Sequence, residues 1–121
     1  MGLDTSHNCW SGAYSAFNRW RTKIAEVAGY GELNEYLGFD GTKPWPNNND
    51  ALIVLLRHSD CDGEINHLDC ADLANRLESL LPALEIAGDG GGHIGSFAEK
   101  TKQFIDGLRD AAEAGENVDF H

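Results

Sequence analysis

The chain is 121 residues long, 41% hydrophobic and 24% charged, and its 20 acidic against 9 basic residues give a net charge of −11. That length buries a core without staples, and the composition is that of one soluble globular domain over 1–121. The acid excess, with Lys and Arg scattered, excludes direct nucleic-acid binding and suits solubility, a cation or a basic partner protein.

In chain order, Met1-Gly2-Leu3-Asp4-Thr5 has neither a basic region nor an apolar run, so no signal peptide is expected. The longest apolar stretch, 51–56, is too short for a membrane span. Three cysteines, an odd number, fit reduced thiols in a cytoplasm. Asp4, Thr5 and Ser6 are N-cap residues, and Trp10, Tyr14, Phe17, Trp20, Ile24 and Val27 recur at helical steps. The spacing predicts a core helix over 10–28, with Asn18, Arg19, Arg21 and Lys23 largely off its aromatic stripe. Gly29-Tyr30-Gly31 stops it. A short helix over 32–37 and an irregular loop over 39–49 follow; Trp45 in that loop either packs on the core or serves as an exposed recognition aromatic.

Asn49 or Asp50 caps a buried segment over 51–57, read as a helix with a short central strand as the competing assignment. A helix over 68–81 places Leu68, Ala71, Leu73, Ala74, Leu77, Leu80 and Leu81 on one broad face, with Pro82 at its end. The glycine-rich 87–95 contains a formal G-x-G-x-x-G, but no strand precedes it and no Walker lysine follows, so it reads as a linker. Ser96-Phe97-Ala98-Glu99 fits a capping box, and Phe97, Phe104, Ile105, Leu108, Ala111 and Ala112 define a last helix that Gly115 stops. The alternating 117–121 predicts a short strand, for which Gly2-Leu3-Asp4 is the expected partner.

Between the second and third helical patterns lies His58-Ser59-Asp60-Cys61-Asp62-Gly63-Glu64-Ile65-Asn66-His67-Leu68-Asp69. With Gly63 at the sharp turn, Asp60, Asp62, Glu64 (through its carbonyl) and Asn66 fall at alternate ligand positions, and Ile65 takes the place of an apolar residue whose backbone pairs with a second loop. The stretch 51–81 thereby resembles a calcium-binding EF-hand, which draws oxygen ligands from positions 1, 3, 5, 7, 9 and 12. His58 at position 1 and Asp69 at position 12 depart from it. A neutral imidazole is a poor partner for a hard cation, and Asp69 is one methylene shorter than Glu. Two weakened ligands at ~1–3 kcal/mol each move a micromolar site toward the millimolar range. The expected metal residues are therefore His58, Asp60, Asp62, Glu64, Asn66 and Asp69, for Ca²⁺ or Mg²⁺.

Two readings compete with this one. His58-x-x-Cys61, His67-x-x-Cys70 and His7-x-Cys9 offer N and S ligands for Zn²⁺. A metal-free turn, with Asp60 and Asp62 bonding local backbone, needs no ion. Cys9 with His7, or Cys61 with His58 and Asp60, also pairs a nucleophile with a base, and the His121 carboxylate and ring could join the first pair if the tail folds back.

Gly2 to Trp10, Gly12-Ala13-Tyr14-Ser15-Ala16-Phe17, His58 to Ile65 and Val118-Asp119-Phe120-His121 together resemble an uncharacterised family of small proteins from bacteria and their phages. The resemblance implies a single compact intracellular domain and a phage or prophage origin, and implies no activity. The expectation is a mainly α domain of four to five helices, with an EF-hand-like helix–loop–helix and a small terminal β pair. Its expected role is a non-enzymatic metal-binding or interaction module. The alternatives are a phage-type inhibitor that sequesters a basic host protein or a small ligand, and a thiol/histidine hydrolase.

Overall fold

A computed structural model describes residues 2–30, 50–56, 58, 63–87 and 96–120. Within these, helices dominate, as the apolar periodicity predicts, and two short antiparallel strand pairs accompany them where one was expected. The predicted helix over 32–37, the Trp45 loop and the glycine-rich linker over 88–95 lie outside the described residues.

The first helix, α1 (Tyr14–Ala28), starts four residues later than its stripe implies. Gly2–Asp4 (β1) and Ser11–Ala13 (β2) pair antiparallel instead, joined by a 3-10 turn at Ser6–Asn8. The reversal satisfies backbone groups that a helix start would leave open: the Thr5 amide donates to the Trp10 carbonyl at 3.0 Å, and the Trp10 amide to Thr5 Oγ1 at 2.9 Å. Trp10 still reaches the core, at 1% exposure. Gly29, with φ of 91°, ends α1 by donating its amide back to the carbonyls of Ala25 and Glu26.

Phe17, Trp20 and Ile24 are fully buried, as expected from the stripe, and so is Arg21, which was expected to lie off it. Arg21 is retained inside because its guanidinium finds partners: it sits 4.6 Å over the Phe17 ring and donates to carbonyls at the end of the next helix. The aromatic cluster is continuous, with ring centroids 5.4 Å apart for Trp10 and Trp20, 4.9 Å for Trp20 and Phe104, and 5.8 Å for Phe17 and Phe120. Each such pair contributes about 0.5–1.5 kcal/mol beyond the area it buries. The Trp20 indole donates to Thr101 Oγ1 at 2.9 Å, so its polar edge is satisfied inside the core.

Helix α2 (Leu52–Leu56) resolves the helix-or-strand ambiguity in favour of helix, with Leu52, Ile53, Leu55 and Leu56 buried. Asp50 starts it, accepting the Leu52 amide at 3.0 Å. Helix α3 (His67–Ser79) buries Cys70, Leu73, Ala74 and Leu77, and lies along α5. The broad leucine face was drawn one step too wide: Leu68 is 74% exposed and Ala71 is also exposed, because Cys70 takes the core position between them. Pro82 does not end this helix but sits in the first turn of α4 (Leu81–Ala87), where a missing amide costs nothing. Helix α5 (Phe97–Ala114) begins at Ser96, whose Oγ accepts the Glu99 amide at 3.3 Å, and ends at Gly115 with φ of 69°.

The last strand, β4 (Val118–Asp119), does form, but its partner is β3 (Glu64–Ile65) rather than β1. The N-terminal hairpin meets the tail through an isolated bridge between Thr5 and Phe120 and through its 3-10 turn, where Ser6 Oγ accepts the Asp119 amide. β1 is already paired with β2, and buried Val118 and Ile65 bring β4 to the loop. Among the described residues one hydrophobic cluster draws on α1 to α5, with Leu3, Ile65, Val118 and Phe120 joining it from the strand pairs and the tail.

Candidate functional site at the loop and tail junction

The 58–69 loop is held at its start by Arg21. Nη1 donates to the carbonyls of Leu55 at 3.3 Å, Leu56 at 3.4 Å and His58 at 2.5 Å, while Nη2 donates to Asn18 Oδ1. Leu55 and Leu56 are the last residues of α2, and the Leu55 carbonyl also accepts the His58 amide at 3.2 Å. His58 Nε2 donates to the Glu64 carbonyl at 3.1 Å, and its ring lies 4.2 Å from that of Phe120. Gly63 has φ of 91°, a backbone conformation that favours glycine at this turn, and a Cβ there would meet the His58 ring at ordinary contact distance, 3.4 Å from Cε1.

Beyond Gly63 the loop runs straight into β3. Ile65 is buried and pairs with Val118. Asn66 caps α3, its Oδ1 accepting the Leu68 amide at 2.8 Å, and Asp69 stands exposed in the first helical turn with its amide on the Asn66 carbonyl at 2.9 Å. The Glu64 carboxylate accepts from Asn117 Nδ2 at 2.7 Å. Of the six expected metal residues, His58 and Glu64 therefore meet through a backbone oxygen, and Asn66 and Asp69 share one helical turn. Asp60 and Asp62, with Cys61, lie outside the described residues. No group of three or more His, Cys, Asp and Glu able to hold a metal occurs among the described residues.

In the His67-x-x-Cys70 and His7-x-Cys9 pairs the thiol is buried in the core. His67 Nδ1 sits 3.1 Å from Asn117 Oδ1, whereas the Cys70 thiol is in the core, donating to the Asn66 carbonyl at 3.4 Å. Cys9 is fully buried, and that burial pushes its thiol up to about 12; burial raises Cys70 as well. A thiol held protonated and out of solvent is a poor nucleophile, which counts against Cys9 as the partner of His7.

His7 pairs instead with residues that the sequence did not single out for chemistry. The Asp119 amide donates to Ser6 Oγ at 2.8 Å, leaving the Ser6 hydroxyl proton to donate to His7 Nδ1 at 2.8 Å. His7 Nε2 then carries the other proton, toward Glu116 Oε1 at 2.9 Å. His7 and Asn8 both hold left-handed backbone, φ of 60° and 58°, a conformation costing non-glycine residues about 1–3 kcal/mol each. Tertiary contacts keep them there: Gln103 Nε2 donates to the Asn8 carbonyl at 3.0 Å, and the turn packs directly on Gly107. A cavity of about 370 Å³ opens beside His7 and Asn8, against the Gln103, Asp106 and Asp110 face of α5. In the sequence this turn was marked by the N-cap character of Ser6 and by His7 as a partner for Cys9; Glu116 is 109 residues from His7 and carried no local signal.

No family model, curated protein or solved structure matches the chain.

Proposed function

We propose that the chain is a divalent-cation-binding module, with loop 58–69 taking Ca²⁺ or Mg²⁺ in preference to Zn²⁺. The observation that supports this is the backbone of its second half. Gly63 is left-handed, Ile65 is in an antiparallel pair, and Asn66 starts the outgoing helix, in the order that an EF-hand loop requires. A preformed half-loop lowers the ordering cost of binding, which partly offsets the weak ligands at His58 and Asp69. Because His58 Nε2 donates to the Glu64 carbonyl, an ion would meet this ring through Nδ1.

Calorimetric titration with Ca²⁺, Mg²⁺ and Zn²⁺ tests the proposal. Millimolar or tighter binding of a hard cation, removed by Asp60→Asn with Asp62→Asn and kept by Cys61→Ser, is the expected result. Heat from none of the three ions, with no shift in melting temperature, would sink it.

A second reading is an acidic interaction module of phage type, binding a basic host protein or a small ligand. The −11 charge and, among the described residues, the exposed apolar side chains of Leu68 and Ile86 favour it. Affinity capture in low salt that recovers neither partner nor ligand would count against this reading. No described helix is long and apolar enough to cross a membrane, and the free thiols of Cys9 and Cys70 suit a reducing cytoplasm.

A further inference from the structure

We infer that Ser6, His7 and Glu116 form a nucleophile, base and orienting acid that hydrolyse small uncharged or cationic esters, a chemistry separate from the cation loop. A nucleophile within hydrogen-bond reach of a base, itself oriented by a third group, is the signature of an activated hydroxyl. Here the links are 2.8 Å from Ser6 Oγ to His7 Nδ1 and 2.9 Å from His7 Nε2 to Glu116 Oε1. The imidazole is used in the opposite sense from the familiar serine proteases, with the serine on Nδ1 and the acid on Nε2, but the roles depend on the two hydrogen bonds and not on which nitrogen makes each.

Three further observations converge on this turn. Two successive non-glycine residues hold left-handed backbone, a strain that clusters at functional sites. The Asp119 amide donates to Ser6 Oγ, which leaves the hydroxyl proton aimed at His7 Nδ1. The adjoining cavity, lined by His7 and Asn8 with Ser6 just outside its lining, admits a small molecule beside the imidazole, and Glu99, Asp106 and Asp110 outnumber Lys102 around it, which disfavours anionic substrates.

In the reaction, Ser6 Oγ attacks the ester carbonyl carbon and its proton passes to His7 Nδ1, leaving an imidazolium paired with the Glu116 carboxylate. The tetrahedral adduct collapses, the C–O bond to the alcohol breaks, and the alcohol takes the proton from Nδ1. Water, deprotonated by His7, then cleaves the acyl-Ser6 ester and releases the acid. Ester and water thus become acid and alcohol, with His7 and Ser6 restored.

The test is 4-nitrophenyl acetate hydrolysis by the full chain, with peptide mapping of the acetylated residue. Positioned acid–base catalysis contributes on the order of 10²–10⁴-fold, so the expected rate exceeds that of the His7→Gln variant by about 10²-fold. The acetyl group should map to Ser6. Glu116 is exposed, so Glu116→Gln should fold normally and lower kcat about tenfold with KM unchanged, which a merely structural role would not produce. An acetyl group on any residue other than Ser6, or a wild-type rate equal to that of His7→Gln, overturns the inference. A Glu116→Gln variant with unchanged kcat removes Glu116 from it. Anionic 4-nitrophenyl hemisuccinate turning over faster than the acetate overturns the assigned substrate class.

Discussion

Arg21 Nη1 donates to the His58 carbonyl at 2.5 Å from a position 1% exposed to solvent, tying α1 to the first residue of the candidate loop. The same nitrogen covers the last carbonyls of α2. One buried side chain therefore ends a helix and sets where the loop begins. Replacing it by Met removes the guanidinium donors from the Leu56 and His58 carbonyls, a loss of about 2–4 kcal/mol by urea unfolding. Lys carries the charge but not the fork, so Arg21→Lys should recover less than half of that loss. A Met variant as stable as the parent would show that the guanidinium contributes nothing net.

Asp50 contributes to the loss of stability in acid. Burial pushes its carboxyl up, but the hydrogen bonds from Tyr30, the Leu52 amide and Arg76, with the Arg76 charge, together outweigh it and hold the group below the usual carboxylate range. The Tyr30 hydroxyl lies at 2.5 Å and Arg76 Nε at 3.1 Å. A depressed folded-state value contributes stability that is complete above the ordinary carboxylate range and is lost as pH falls through the folded-state value. Urea midpoints measured from pH 7 down to pH 3 should therefore fall less steeply for Asp50→Asn than for the parent, while at pH 7 the variant is about 1 kcal/mol less stable. Parallel curves would contradict this.

Gly107 lets the 3-10 turn press against α5. A Cβ at this position would come 2.4 Å from Cys9 Sγ and 2.8 Å from the His7 carbonyl oxygen. Alanine gains about 1 kcal/mol of helix propensity at an interior position, yet overpacking here costs more. Gly107→Ala should thus be destabilised by about 1–3 kcal/mol on thermal unfolding, and should disturb the Ser6–His7 hydrogen bond. A raised melting temperature would mean that the turn yields without cost.

The Cys9 thiol responds to base. Burial raises it from 9.0 to about 12, so its neutral form is favoured by folding. Stability from this group is complete below the unfolded value and is lost as pH climbs from about 9 toward 12. Native Cys9 should resist alkylation by iodoacetamide at pH 8 and react at the rate of unfolding. Rapid labelling of Cys9 in the folded protein, read by mass spectrometry, would be the contrary result.

The elements themselves were written in local sequence. Helical spacing and glycine stops place α1 and α5 within a few residues, Ser96 and Asn66 cap their helices, and left-handed Gly63 marks the turn of the loop. These depend on neighbours within about four positions, where side-chain chemistry and backbone preference act directly.

What required the tertiary structure was every relationship between distant residues. Sequence periodicity assigned Arg21 to a polar face and Leu68 to an apolar one; burial reversed both, because carbonyls at the end of α2 supply partners for a guanidinium and Cys70 fills the core position beside Leu68. The tail was readable as a strand, but its pairing with Glu64–Ile65 was not, since register depends on which edge is open and which side chains must be buried. The grouping of Ser6, His7 and Glu116 is of the same kind. The chain determined a left-handed-tolerant turn and a helix stop at Gly115, while only packing against α5 and pairing of the last strand brought a serine, a histidine and a glutamate into hydrogen-bond contact.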